Sequence, residues 1–510
     1  MKKTHRIVSR SVLRGLLAAA ALAAPIAAAQ LPLDTLRQNA QREPGSLDAQ
    51  LDLGNAYLEA GMLDEAQATF LDAISIDYRS GDAHFGLGLT EYERGDLPAA
   101  LFQFNEVTRL YPERFDGHFN RAVTLAKLER YDESVEAFRE AVANAEDASV
   151  SEQVSAYLGL AGQLTKLEDH AGAADAYGAA LELRPSDNEL TYLHGQALYR
   201  AGMGIDALPE LSDLEARSKD YRVTSLIANI YIQAEQTDYA IASLQRALRQ
   251  AQLARDTGAQ ANLLIGLGQL QRDLGNNDAA ISAFQRAAAA DASSYEARYN
   301  LGVSYLEGGQ PQSAIGYLEN ATNLNPESGE AHLALATAYG QVGRTDEAFQ
   351  TAQGALNRLE DPELAAQANF VVGSGFYKRG DFERALETFE AVLQEQPDNA
   401  QAQLWAGLSE YQQENYDEAA QYIERAVQLD PESVEARVNL GAAYLASNRF
   451  QDAELVYQLV VEEAPEDAEA HYNLGWSLYS QNRREDAKEA WVRASSLGYT
   501  PAQEALQTYF

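Results

Sequence analysis

From Leu47 onwards, apolar and polar positions follow a helical period, and the pattern itself recurs about every 34 residues. In the clearest unit, Tyr295 to Ser328, an amphipathic stretch carrying Leu301, Gly302 and Tyr305 runs to Gly308-Gly309. A second stretch carrying Ala314, Leu318 and Ala321 stops at Asn325-Pro326. This spacing predicts two helices joined by a tight turn. Gly308 and Gly309 are expected to supply the backbone freedom of the turn. Pro311 suits the first turn of the second helix, where its missing N–H would be unpaired anyway, and Pro326 blocks continuation. Gly302 and Ala314 leave room for the two backbones to approach, and bulk there would pry the hairpin apart.

The small residue of the first helix recurs at Gly54, Gly88, Ala122, Ala161, Gly195, Ala228, Gly268, Gly302, Ala336, Gly373, Gly407, Gly441 and Gly475, which marks thirteen units. Its counterpart in the second helix is Ala66, Ala100, Ser134, Ala173, Ala207, Ala240, Ala280, Ala314, Ala348, Ala385, Ala419, Ala453 and Ala487; only Ser134 is not Ala. Prolines close units at Pro112, Pro185, Pro326, Pro397, Pro431 and Pro465. Extra residues break the register at about 149–153, 255–260 and 363–365, read either as places where the superhelix bends or changes pitch or as loop insertions of the kind exposed loops absorb. Pro209, two residues after Ala207, is expected to kink its helix and mark a hinge.

These residues resemble the tetratricopeptide repeat family, whose pattern has a large residue, then Leu-Gly, then Tyr, followed by spaced Ala, Phe or Tyr, Ala and Pro. The resemblance covers 47–500. It implies an all-α, right-handed superhelical solenoid of about thirteen helix-turn-helix repeats, with first helices lining a concave groove. Stacking alone allows other curvatures, so the hand comes from the resemblance alone. Residues 501–510, with Ala505 and Leu506 on a short helical pattern, are expected to be a C-terminal capping helix. Residues 30–46 read as a loose leader.

Composition adds a destination. Lys2, Lys3, Arg6, Arg10 and Arg14 precede the apolar run Leu16 to Ala29, which ends Ala27-Ala28-Ala29, so 1–29 reads as a secretory signal peptide. A retained membrane anchor is the rival reading, but Pro25 interrupts a run shorter than the roughly 20 apolar residues a span requires. The chain is expected to be periplasmic or secreted, with no direct membrane insertion after cleavage. There is no cysteine, so disulfides, thiolate metal sites and cysteine nucleophiles are excluded. Cleavage after Ala29 would take five positive charges from a formal −37, leaving −42. That excess argues against nucleic acid as a partner. It is read either as keeping a long array soluble or as an acidic groove for basic partners.

No compact catalytic motif appears: there is no GxxxxGK[ST], HExxH or GxSxG, and Gly266-Leu267-Gly268 belongs to the repeat. No cofactor or metal is expected. His84, His118, His332 and His471 share one early place in their repeats, which signals packing, although His84 and His118 lie in successive units and offer a metal pair as the sharper reading. His194 also takes a packing position, and His170 falls in a turn. Asp64-Glu65, Asp132-Glu133, Asp346-Glu347 and Asp417-Glu418 each open a second helix, where negative charge complements the helix dipole, so they read as structural rather than as acid/base pairs.

If the family geometry holds, the groove-facing positions include Phe85 with Tyr92, Tyr192 with Tyr199, Tyr299, Phe370 with Tyr377, Tyr411, and Tyr472 with Tyr479. Packing between hairpins is the competing reading of these rings. Asp82, Asp116, Glu296 and Glu330 flank them, while Lys127, Lys166, Arg200 and Lys378 add scattered positive charge. An acidic, aromatic groove favours protein or peptide segments with basic and apolar side chains. The expectation is a non-enzymatic exported scaffold or adaptor for cell-envelope assembly or secretion, with an accessory subunit of a polysaccharide export or modification machine as the alternative.

Overall fold

The computed structural model describes residues 32–510 and consists of twenty-eight α-helices among them. The reading of 1–29 as a signal peptide lies outside the described residues. Helix α1 spans Leu33–Arg42. Thirteen hairpins follow, numbered α2 to α27 in pairs: Leu47–Glu59 with Leu63–Ile76, Gly81–Arg94 with Leu97–Leu110, Phe115–Lys127 with Tyr131–Ala143, Val150–Lys166 with His170–Leu183, Asn188–Arg200 with Gly204–Ser218, and Tyr221–Gln233 with Thr237–Ala254. The pairs then continue as Thr257–Asp273 with Asn277–Ala290, Tyr295–Glu307 with Pro311–Leu324, Gly329–Gln341 with Thr345–Leu356, Pro362–Lys378 with Phe382–Glu395, Ala400–Gln412 with Tyr416–Leu429, Val434–Ala446 with Phe450–Glu463, and Ala468–Ser480 with Arg484–Ser496. Helix α28 is Thr500–Tyr509. The array divides into two compact units, one ending at Ala254 and the other beginning at Arg255.

Local chemistry starts and stops these helices at repeating places. A Ser, Asp or Asn side chain caps the N-terminus of every first helix except α6, from Ser46 accepting the Ala49 N–H to Asp467 accepting that of Ala470. Each such cap satisfies an N–H that has no partner within the helix. At the turn inside every hairpin one residue adopts the left-handed conformation: Gly61, Gly95, Glu129, Glu168, Gly202, Glu235, Gly275, Gly309, Gly343, Gly380, Glu414, Asn448 or Asn482. In the Tyr295 unit the turn therefore needs only Gly309, at φ 66°, since Gly308 has an ordinary φ of −79°.

Two sequence expectations change. The extra residues are helix rather than loop: α8, α14 and α20 run to 17 residues against 13 for most first helices. Ser149, Asp256 and Asp361 cap them upstream, so the added residues start the helix one turn early. Residues 33–42 of the supposed loose leader form α1, whose Leu36 and Ala40 are buried against Leu53 and Tyr57 of α2. Arg37 Nε donates to Tyr57 Oη at 2.7 Å, which ties the helix down. Further along, α11 runs through Pro209 as one helix, and the two compact units divide after Ala254.

The small residues set the hairpin core. A Cβ on Gly302 would stand 2.5 Å from Leu318 Cγ of the partner helix, and one on Gly88 would stand 2.7 Å from Phe104. Gly268 and Gly373 face Phe284 and Phe389 in the same way. Leu318, Phe104, Phe284 and Phe389 are wholly buried. Ser134 keeps the small position by donating its hydroxyl to the Ala122 carbonyl at 2.8 Å. At the far end, α28 covers Trp491 with the buried Ala502 and Ala505.

Candidate protein-binding face

Within each unit, the first helices of most successive hairpins touch one another, and second helices make no comparable contact. A stack drawn together on one side curves towards that side, so the first helices carry the inner face of each unit.

All ten aromatic residues named from the sequence are half-buried, and each spends part of its ring on the protein itself. In the first unit, Phe85 meets Phe104 with centroids 5.9 Å apart and lies under the Arg114 guanidinium at 5.1 Å. Tyr92 lies 4.3 Å below the Lys127 ammonium, and Tyr192 lies 5.3 Å below Arg222. Tyr199 packs on the core around Ala207 and Leu211.

In the second unit, Tyr299 stacks on Tyr295 at 5.7 Å, and Phe370 meets Phe389 at 5.7 Å. Tyr377 sits between Phe382 and Trp405, at 5.2 and 5.1 Å, and Tyr411 meets Tyr416 at 5.2 Å. Tyr472 and Tyr479 flank Trp476, at 6.2 and 6.0 Å. Packing thus accounts for most of each ring, and a smaller part stays exposed. Burial pushes the Tyr92, Tyr192 and Tyr411 hydroxyls up, and burial reinforced by Glu330 pushes Tyr299 up to about 12. These phenols are neutral donors at physiological pH.

The flanking acids divide into two kinds. Asp82 and Asp116, in successive hairpins, both hold Arg114, at 2.8 and 2.7 Å. Arg114 is also the one first-helix N-cap position without a capping side chain, since a guanidinium has no acceptor for the free N–H groups there. Glu296 and Glu330 are exposed and form no ion pair among the described residues.

Residues set aside as structural keep that role. His84 is buried, with Nδ1 2.7 Å from Gln103 Oε1 and Nε2 2.9 Å from the Tyr78 carbonyl. His118 Nε2 lies 2.7 Å from the Pro112 carbonyl and His471 Nε2 3.1 Å from that of Pro465, so these rings brace the loop before their helix. The paired acids occupy first turns, and three of the four pairs meet arginines, as in Arg130 with Glu133 at 2.7 Å and Arg379 with Asp346 at 2.6 Å. Among the described residues no three His, Asp or Glu side chains converge as a metal site, and no helix is long and apolar enough to cross a membrane.

Sequence reasoning missed three features. Trp476 belongs with Tyr472 and Tyr479, and its place one helical turn from each was the available signal. The Arg114 bridge joins residues of two hairpins and has no local signature. A hollow of about 840 Å³ opens among α9, α10 and α11 beside Gly178, where His194 Nδ1 lies 2.8 Å from Glu210 Oε1.

Against known proteins, one sequence model of the tetratricopeptide repeat matches residues 51–112, 85–149, 225–291, 265–319 and 373–434, and another matches 305–369 and 410–471. Tetratricopeptide repeat protein 8 of Caenorhabditis elegans is 22% identical over 201 residues, 39% of this chain and 38% of that protein. Protein O-mannosyl-transferase TMTC1 of Homo sapiens is 29% identical over 135 residues, 26% of this chain. The chain thus spans 38% and 15% of the lengths of these relatives. The crystal structure of YrrB, described as a TPR protein with an unusual peptide-binding site, shares 22% identity with a TM-score of 0.34, covering 39% of this chain and 97% of that one. With thirteen helical hairpins built on one small-residue register and repeat models matching more than half of its length, the chain belongs to the tetratricopeptide repeat family.

Proposed function

We propose that this protein is a non-enzymatic, exported scaffold that holds other envelope or secreted proteins along the first-helix face of its units. The observation that carries the reading is the run of partly exposed rings on that face, from Phe85 to Tyr479, each offering apolar area. Such surfaces bind through shape and aromatic area with little reorganisation. Export rests on the charged and apolar pattern of residues 1–29, and the absence of a recognisable catalytic motif supports a binding role.

Photocrosslinking amino acids placed at Glu296 and Glu330, with exposed Leu455 and Leu459 of α25 as controls, would test the face in intact cells. Partners recovered from the first pair but not the second support the proposal; recovery from α25 alone sinks it. A glycosyltransferase or outer-membrane channel among the partners would turn the reading towards an accessory subunit. Mass spectrometry of the exported form should find its N-terminus near Gln30, and retention of residues 1–29 would overturn export with cleavage.

A further inference from the structure

Lys127, Lys166 and Arg200 are the final residues of α6, α8 and α10, the first helices of three successive hairpins in the first unit. A cation at a helix C-terminus complements the dipole there. The dipole alone does not select it, because the same register position, five residues after the small residue, holds Glu59 in α2, Glu93 in α4 and Gln233 in α12, while Arg94, which ends α4, is held by Asp64. The row therefore changes sign along the unit, acidic at first and basic over three hairpins.

Two other cations on this face of the first unit are matched. Arg114 is held by Asp82 and Asp116, and Arg222 lies 2.7 Å from Asp220 and 3.6 Å from Glu189. Lys127, Lys166 and Arg200 form no ion pair among the described residues. Lys127 Nζ instead lies 4.3 Å over the Tyr92 ring, and Lys166 Nζ lies 4.6 Å over that of Tyr131. The Arg200 charge acts on the Tyr177 and Tyr192 hydroxyls, opposing the effect of their burial. A ring face steadies a cation without neutralising it, so its outward N–H groups stay free for an anion. Tyr92 Oη, under Lys127, is buried with no hydrogen-bond partner among the described residues.

On α6, α8 and α10 themselves the acids are thus consumed and the unspent charge is positive, with the exposed Glu129 and Glu168 standing in the turns that follow α6 and α8. The net charge of −37 does not reverse this, because fields in about 0.15 M salt decay over about 8 Å and the local cations dominate a docked segment. We propose that the first-helix face across α6, α8 and α10 docks an extended acidic segment of a partner protein, its carboxylates seated on Lys127, Lys166 and Arg200. Packed helices lie about 8–10 Å apart, so the matching acids recur about every third residue of a strand that rises about 3.3 Å per residue. The inference rests on the protein-binding reading and replaces a basic partner with an acidic one for this stretch.

The test uses the purified protein and fluorescence anisotropy, with a fluorescein-labelled peptide of Glu-Ala-Ser repeats, its Lys-Ala-Ser twin and an oligo-thymidine of similar length as probes. The acidic peptide is expected to bind and its twin to fail. Lys127→Glu with Lys166→Glu and Arg200→Glu should weaken binding about tenfold or more at unchanged helicity. Lys378→Glu, at the equivalent place in α20 of the other unit and hydrogen-bonded to Thr345, should leave it unchanged.

Equal or tighter binding of the lysine peptide, binding of neither peptide, or an unaffected triple variant would overturn the inference. Oligo-thymidine binding through the same three residues would overturn the assignment to a protein partner. Crosslinks that persist at Glu296 and Glu330 after the triple substitution leave the scaffold reading standing whatever the peptides do. Their absence from the unsubstituted protein would remove that reading itself.

Discussion

The contact between Gly302 and Leu318 allows the packing argument to be tested with a double-mutant cycle. A Cβ on Gly302 would lie 2.5 Å from Leu318 Cγ, more than about 1 Å inside ordinary carbon contact. Leu318 Cγ is a branch point of a side chain with no exposure, so the backbones of α16 and α17 must separate to admit it. Overpacking costs about 1–3 kcal/mol, and the tightness of this contact points to the upper end. Alanine recovers about 1 kcal/mol over glycine in a helix, so Gly302→Ala should destabilise by about 2 kcal/mol. Leu318→Ala should cost about 3–4 kcal/mol through lost burial and the cavity left behind.

With both changes, the new methyl group enters the vacated space, the clash vanishes and only the propensity gain remains. The coupling is then about 3 kcal/mol, far beyond the additivity expected of independent sites. In urea denaturation followed by far-UV circular dichroism, at a slope of about 4 kcal/mol per molar for a unit of this size, Gly302→Ala should lower the midpoint by about 0.5 M. In the Leu318→Ala background the same substitution should raise it by about half that. If Gly302→Ala shifts the midpoint equally and in the same direction in both backgrounds, direct contact is not why this position is small.

Other outcomes can be measured alongside. Glu414 adopts φ 67° at its hairpin turn, a conformation that costs a non-glycine residue about 1 kcal/mol, so Glu414→Gly should raise the urea midpoint. Ser134→Ala should change stability by less than about 1 kcal/mol, because alanine fills the equivalent place in every other repeat; a larger loss would mean the bond to the Ala122 carbonyl matters more than the space.

Hydrogen bonds from Arg109 and Tyr78 hold the Glu106 carboxyl at about 2. Its stabilising contribution is therefore present above an unfolded pKa of about 4.3 and is lost as pH falls towards 2. The gap in thermal midpoint between the parent and Glu106→Gln should close over that range, and a constant gap would refute the assignment. Tyr299, raised to about 12, contributes stability below pH 10 that is lost as pH rises through 12; Tyr299→Phe should flatten the alkaline fall of the denaturation midpoint over that window.

The repeat register, the hairpin and the structural role of the paired acids are all legible in the chain, because each is encoded within one unit by residues a few positions apart. Gly302 and Ala314 announce a close approach of helices, and the recurrence of their counterparts counts the hairpins. The aromatic positions are legible as a helical face, yet spacing alone does not divide a ring between packing and exposure. The extra residues before α8, α14 and α20 read as loops because the register recorded only their number. Ser149, Asp256 and Asp361, standing one turn upstream, make them helix. Residues 33–42 read as a leader because a short amphipathic segment forms a stable helix only when a neighbour such as Tyr57 covers its apolar face.

By itself, then, the sequence determined an all-helical array of thirteen hairpins and the face on which its first-helix side chains gather. Tertiary structure decided which charges on that face remain unspent. Arg114 reaches Asp82 from the next hairpin and Lys127 settles over Tyr92 of the preceding one, pairings across 32 and 35 positions of chain. A helical period fixes neighbours three or four residues apart, whereas the sign of a surface is the sum over groups that only stacking brings together.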